Sequence, residues 1–314
     1  MVMSRPRRLH LPKKYHIITG MSRNTVSFVF FGTDKHAGTI LDELKSAELI
    51  PALIVTAPDR PKGRGLQMTP PPVKLWAQKN NIPTLQPEKL DATFASQLSK
   101  VNGQLFVVAR YGKILPKDIL NIPKHGTINV HPSLLPLFRG PSPAQSQILA
   151  GVPETGVTII LLDEKVDHGP ILAQEVIAMP TPLPRTHELE DLLAHLGGKL
   201  LAETIPQWLA APSSGGIAPQ EQDHAHATFT NMLKKEDGLV DIENEDPEIL
   251  YRKFLAYTPW PGIYFLRSDL DAVKGPTLKR VKITDAEFKD DTFVIKKVIP
   301  EGKKEMTYSD FTKN

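Results

Sequence analysis

The run Val26-Ser-Phe-Val-Phe-Phe31 has one polar residue in six and is followed at once by Gly32 and a helix-like stretch. A strand this apolar has to be covered on both faces, which is the condition of a central strand in a parallel sheet. The segments after it keep alternating. Ala37 to Ala47 reads as a helix and Ala52 to Thr56 as a strand. Pro72 to Asn80 reads as a helix with proline at its first position, and Gln104 to Ala109 and Thr127 to Val130 read as strands. Such alternation predicts βαβ units and an α/β fold on a mostly parallel, Rossmann-like sheet. Val157 to Leu162 and Ile171 to Ile177 read as a later strand pair. From Glu188 to Leu209 the leucines at 189, 192, 193, 196, 200 and 201 follow a helical period with one buried face.

The pattern changes after Leu209. Ala210 to Thr228 is rich in Pro, Gly, Ser and Gln and reads as a linker, in which His224 and His226 are expected to be simply solvated. Beyond it a short helix, Glu248 to Ala256, precedes short strands such as Thr277 to Thr284 and Thr292 to Val298, the pattern of a small OB-like β-barrel. Trp260, set between two prolines, reads as a structural plug. The expected organisation is a basic leader at 1–24, a catalytic domain at 25–209, a linker at 210–228 and a C-terminal domain at 229–314.

Composition removes several chemistries. With no cysteine, disulfides, thiolate catalysis and Cys-ligated zinc are excluded, and the ten histidines form no group that predicts a metal. No apolar run reaches the ~20 residues of a membrane span. The net charge of +3 is uneven: residues 1–24 hold six cations and no acid, which leaves −3 for the rest. Such a leader has the Arg-rich, acid-free make-up of a mitochondrial transit peptide, but it lacks a secretory apolar core and Met21 stands directly before the first strand. The favoured reading is therefore Met21 as the true or an alternative start and residues 1–24 as a disordered tail without function. The expected location is the bacterial cytoplasm, with the mitochondrial matrix as the alternative.

Thr127-Ile-Asn-Val-His-Pro-Ser-Leu-Leu-Pro-Leu-Phe-Arg-Gly140 concentrates the chemistry. Pro132 stops the strand, and residues two apart share a face, so Asn129 and His131 point the same way at its end. A carboxamide donor beside an imidazole, with Asp167 available to orient the ring, suits acyl-type transfer. Singly, each residue also has a plain reading: Asn129 as a turn cap, Asp167 with Gly169 as a turn, His131 as a buried structural histidine. Arg139-Gly140 reads equally as an anchor for an anionic ligand tail or as a turn.

The spacing Asn-x-His-Pro-Ser-x-Leu-Pro-x-x-Arg-Gly, followed by Val166-Asp167-His168-Gly169, resembles the 10-formyltetrahydrofolate-dependent formyltransferases. The resemblance implies that His131 carries the proton, Asn129 stabilises the oxyanion and Asp167 orients the imidazole. It further implies a reduced-folate site with 10-formyltetrahydrofolate as formyl donor and no metal. That site would draw on Ser133, Leu134, Leu135 and Pro136, on the loop holding Arg110, Tyr111, Gly112, Ile114 and Leu115, and on Val166 and Gly169. Phe31-Gly-Thr-Asp34 lacks a G-x-G-x-x-G pattern, which argues against NAD. Asp34 and His36 stand where the family usually has Pro and Phe, a departure that bears on local packing.

Two further stretches resemble the branch of this family that acts on methionyl-tRNA. One is the loop from Ala57 to Pro72 with Arg60, Lys62 and Arg64, the expected contact to tRNA phosphates, for which plain solvation of a surface loop is the alternative. The other is the C-terminal part, with Asn231 to Gly238 and Pro259-Trp-Pro-Gly-x-Tyr264. The resemblance implies initiator methionyl-tRNA and a reduced folate as partners, no membrane and a monomer. A sugar-nucleotide formyltransferase and a non-catalytic tRNA-binding relative are the alternatives. From Ala225 to Asn314 there are 15 Lys/Arg against 16 Asp/Glu, so a tRNA-facing surface there requires segregated charge, with Lys279, Arg280, Lys282, Lys296, Lys297, Lys303 and Lys304 as candidates.

Overall fold

The computed structural model describes residues 26–63, 65–210, 215–271 and 275–313. The leader and Arg64 lie outside the described residues. The elements in chain order are β1 (Phe28–Phe31), α1 (Lys35–Ser46), β2 (Leu53–Val55), β3 (Arg60–Lys62), β4 (Gln67–Thr69), α2 (Pro72–Lys79), β5 (Thr84–Leu85) and α3 (Ala92–Leu98). They continue with β6 (Leu105–Val108), α4 (Lys117–Leu120), β7 (Thr127–His131), α5 (Pro143–Ala150), β8 (Glu154–Leu161), β9 (Ile171–Ala178) and α6 (Thr186–Leu209). The C-terminal part holds α7 (Pro247–Tyr257), β10 (Tyr264–Asp271), β11 (Gly275–Lys289), β12 (Thr292–Pro300), β13 (Met306–Thr307) and α8 (Tyr308–Lys313).

Seven strands form one sheet in the order β5-β2-β1-β6-β7-β8-β9. Pairings are parallel from β5 to β7, while β8 and β9 join antiparallel. β1 is central, as its composition demands. Phe28 and Phe30 enter the core on one face, Val29 and Phe31 the core on the other, and all four are fully buried. At roughly 25 cal/mol per Å² of apolar surface, a fully buried Phe of this kind contributes on the order of 2 kcal/mol. α6 packs close on the sheet because Gly197 leaves room: a Cβ there would sit 2.7 Å from Val130 Cγ1. That contact seats β7 under the helix and so fixes the strand that carries His131.

The stretch expected as a loop between Ala57 and Pro72 contains a small antiparallel hairpin, β3 with β4, whose strand residues are mostly exposed. RPK and QMT lack the apolar alternation that signals a strand, which is why the sequence pattern missed it. The later strands form a four-stranded antiparallel sheet in the order β10-β11-β12-β13, with Leu239 adding a parallel bridge to Tyr264 at one edge. One apolar cluster runs from α6 (Leu189, Leu193, Leu201) through α7 (Leu250, Phe254) to Phe265, Val281 and Val298, so the two sheets share a core. Thr186 Oγ1 donates to the Ala256 carbonyl at 2.6 Å across the junction. No helix among the described residues is long and apolar enough to cross a membrane.

Candidate active site

β7 ends with Asn129 half-buried and His131 buried. Val108 on β6 pairs with Asn129, so the loop after β6 lies beside the same strand end, where open α/β sheets bind ligands. His131 Nδ1 is 3.5 Å from Asp167 Oδ1. Its Nε2–H donates to the Phe138 carbonyl at 3.0 Å. Phe138 has φ +60, the left-handed region that few non-glycine residues occupy, and this turn brings its carbonyl back to the ring. Both ring nitrogens therefore face oxygen acceptors. The Asn129 carboxamide makes no side-chain hydrogen bond to the described residues, so its NH2 is available to a ligand. The expected trio is thus brought together, with one ring acceptor, Phe138, that is a backbone group and left no mark in the motif.

Asp167 is held from several sides. Its φ is +48, and its Oδ2 accepts from the Gly140 N–H at 2.8 Å. Gly169 follows where the chain runs against Leu161: a Cβ would sit 1.8 Å from that carbonyl oxygen. Gln222, buried and remote in sequence, donates Nε2–H to the carbonyls of Asp167 at 2.9 Å and Gly169 at 2.7 Å.

The Ser133–Pro136 segment is bolted to the sheet. Ser133 Oγ donates to the Leu137 carbonyl at 2.7 Å, Thr158 Oγ1 donates to the Ser133 carbonyl at 2.7 Å, and Gln174 Nε2 donates to the Leu135 carbonyl at 3.0 Å. Ser133 and Leu135 are buried, while Leu134 and Pro136 are half-buried. In the loop after β6, Tyr111 is buried edge-on to Phe31 and burial pushes its hydroxyl up to about 12. Leu115 is buried as well, whereas Ile114 is 77% exposed. Val166 is 51% exposed on the Asp167 loop. Those two apolar side chains, with the backbone at Gly112 (φ +79), are the exposed features of the expected folate loops.

Arg110 turns its side chain inward. Its Nε donates to Asp34 Oδ2 at 2.8 Å and its Nη1 lies 3.0 Å from Glu190 Oε1. Burial opposes charge on Arg110, but Asp34 and Glu190 more than offset it and raise its pKa. Burial likewise pushes Asp34 up, yet the His36 hydrogen bond and the Arg110 charge hold its carboxyl well below the usual range. Asp34 also caps α1 by accepting from Ala37 N–H at 3.0 Å. The unusual Asp34 and His36 are therefore compensated by Arg110, Glu190 and Asp191, the last 3.1 Å from His36 Nε2.

Arg139 is buried and bonded to protein groups: Nη2 donates to Gln222 Oε1 at 2.6 Å and to His224 Nδ1 at 2.9 Å. His224 stacks on His168, centroids 4.1 Å apart, so it is not simply solvated; His226 is exposed. Among the described residues no cluster of three His, Asp or Glu side chains could hold a metal. A cavity of about 700 Å³ lies apart, between Leu239–Glu245, Phe265–Arg267 and α8, and includes none of these site residues.

Arg60 and Lys62 are exposed on β3; Arg60 pairs with Glu88 at 3.3 Å, and Lys62 has no partner among the described residues. Asp59 is bonded to Gln86 and Lys74, so the acid nearest the hairpin is already matched. On the C-terminal sheet Lys282 pairs in register with Tyr264, and Arg280 lies 3.6 Å over the Tyr264 ring centroid. Lys296 and Lys297 are matched by Glu287 and Glu305. Trp260 is 56% exposed, so it does not act as a plug.

Residues 25–205 match the family described as formyl transferase. A methionyl-tRNA formyltransferase of Chloroflexus aurantiacus is 46% identical over 237 residues, 75% of this chain and 74% of that protein. One of Roseiflexus castenholzii is 39% identical over 304 residues, 91% of this chain and 95% of that protein. The chain belongs to the methionyl-tRNA formyltransferase family. Among solved structures, the methionyl-tRNA formyltransferase from Clostridium thermocellum shares the fold of this formyltransferase with a TM-score of 0.58 at 16% identity, covering 88% of this chain and 99% of that one. HypX from Aquifex aeolicus, in complex with tetrahydrofolic acid, shares it with a TM-score of 0.61 at 15% identity over 91% of this chain and 46% of that one.

Proposed function

We propose that this enzyme transfers the formyl group of 10-formyltetrahydrofolate to the α-amino group of initiator methionyl-tRNA. The observation that carries the reading is His131, set between Asp167 and the Phe138 carbonyl on the same strand as an Asn129 carboxamide with no hydrogen-bond partner among the described residues. Attack of the amine on the formyl carbon forms a C–N bond and places negative charge on the formyl oxygen. Asn129 donates to that oxygen, a bond that strengthens as charge develops. With Nδ1–H directed at Asp167, His131 turns Nε2 from the Phe138 carbonyl to the substrate, takes the proton from the attacking nitrogen and delivers it to folate N10 as the N10–C bond breaks. Asp167 orients the ring and stabilises its charged form through Nδ1, and the Phe138 carbonyl holds the Nε2 side of the ring when no substrate is there. Tetrahydrofolate and the N-formyl product leave, and atoms and charge balance.

Ile114 and Val166, both exposed, and the backbone at Gly112 suit a flat heteroaromatic pterin. Arg110 supports that loop through Asp34 and Glu190, and Ser133 and Leu135 support the 133–136 turn. Arg60 and Lys62 on the β3–β4 hairpin are assigned to tRNA phosphates, and so is Arg64, which lies outside the described residues. The assignment divides the chain into a catalytic part at 25–209, a linker at 210–228 and a tRNA-binding part at 229–314. The reaction belongs where initiator tRNA and reduced folate meet, the bacterial cytoplasm.

The test is formyl transfer to charged initiator methionyl-tRNA, beside the same tRNA uncharged and an amino-sugar nucleotide. Product on methionyl-tRNA alone is expected; product on the sugar alone overturns the acceptor assignment.

A further inference from the structure

Residues 217–230 run from the end of α6 toward the C-terminal sheet, and their polar composition suits a mere spacer. Their hydrogen bonds do not. Ile171 and Gln220 exchange backbone bonds at 2.7 and 2.9 Å, beside the Asp167 loop. On the other loop the Arg139 N–H donates to the Thr228 carbonyl at 2.9 Å, and the Arg139 carbonyl accepts from Thr230 N–H at 2.7 Å. Phe138 N–H donates to Thr228 Oγ1 at 2.8 Å. One strand-like segment therefore ties together the loop that supplies the Phe138 carbonyl and the loop that supplies Asp167.

Gln222 is the buried centre of this strap, 5% exposed. Both its amide hydrogens are committed, one to the Asp167 carbonyl and one to the Gly169 carbonyl, and its oxygen accepts from Arg139 Nε and Nη2. Asp167 occupies the left-handed region at φ +48, a conformation that persists only when its surroundings hold it. Arg139 has no carboxylate within 4 Å among the described residues, so Gln222 and His224 are its polar partners. Buried groups of this kind become costly when a partner is lost.

We infer that Gln222 is a positioning residue for formyl transfer: it fixes the backbone on either side of His168 so that Asp167 faces His131. It touches no substrate; it acts through Asp167. The inference rests on the roles proposed above for Asp167 and His131.

The experiment is a double-mutant cycle on the full chain, with single-turnover formylation of methionyl-tRNA by 10-formyltetrahydrofolate. Gln222→Glu keeps an acceptor for Arg139 and removes both donors; Gln222→Met removes everything at nearly the same volume. Each is expected to slow the bound-state rate by about tenfold or more while KM for both substrates stays within about threefold. In an Asp167→Asn background, Gln222→Glu should change the residual rate by less than about twofold, since residues acting as a unit are not additive. Rate losses that multiply across the cycle, an unchanged rate in Gln222→Glu, or a loss confined to KM would each overturn the inference. If Gln222→Met does not fold, Gln222→Glu decides alone. An Asp167→Asn enzyme with normal turnover would instead sink the catalytic reading, so the two failures are distinguishable.

Discussion

Replacing Asp167 by asparagine removes one negative charge from beside His131 and leaves the side chain's shape almost unchanged. The separation, 3.5 Å from Nδ1, is longer than a good hydrogen bond, so the contribution is chiefly charge against charge. At an effective dielectric of about 20, 332/(εr) gives about 5 kcal/mol for the charged ring, an upper figure. At 1.36 kcal/mol per decade that sets a ceiling of roughly three and a half orders of magnitude in rate. General acid–base catalysis contributes about 10² to 10⁴ in total, which agrees. Asparagine can still accept from Gly140 N–H, so the loop keeps that anchor. The expected result is a kcat lower by about 10² to 10³, with KM for methionyl-tRNA and folate within about threefold, read from steady-state formylation of radiolabelled methionyl-tRNA. A variant that keeps a third of its turnover would refute the role given to Asp167, and a large KM change with normal kcat would make it a binding residue.

Changing Arg60, Lys62 and Arg64 together to Ala should raise KM for tRNA and flatten its dependence on salt by about 0.7 to 0.9 of a log unit per lost phosphate contact; an unchanged slope would remove the hairpin from the tRNA interface. Gly169→Ala places a Cβ 1.8 Å from the Leu161 carbonyl oxygen, backbone that cannot step aside, so a loss of about 2 kcal/mol or more in unfolding free energy is expected by denaturant titration. Asp34 has a depressed folded pKa, so its stabilisation is present above the unfolded value of about 3.9 and lost as pH falls through the lower folded value. Asp34→Asn should therefore destabilise the protein by about 1–3 kcal/mol at pH 7, and the gap to the parent should close below about pH 4; a gap independent of pH would show that the Arg110 pair contributes nothing.

What could be read from residue order is what depends on near neighbours. The sheet was legible at β1 and β6 because strands covered on both faces are apolar at every position, and Asn129 with His131 because two-residue spacing alone puts them on one face. The β3–β4 hairpin was not, since its strand residues bury almost nothing and so carry no periodicity. Arg139 was ambiguous for a different reason: what buries it is the segment around Gln222, 83 residues further on. His224 looked like a solvated linker residue because its partners, Arg139 and His168, are also remote in sequence. Asp34 and His36 departed from the familiar pattern, and only the folded chain shows the answering charges on Arg110, Glu190 and Asp191.

The strap across the two loops also decides where this chain can be taken apart. A graft that exchanged the C-terminal third at residue 209, where α6 stops, would carry Gln222, Thr228 and Thr230 away with the outgoing piece and leave Phe138, Arg139 and Asp167 without them. The workable seam lies after Thr230. A chimera joined there would keep the strap with the loops it ties, and would still have to match the core that α6 shares with α7 and the C-terminal sheet.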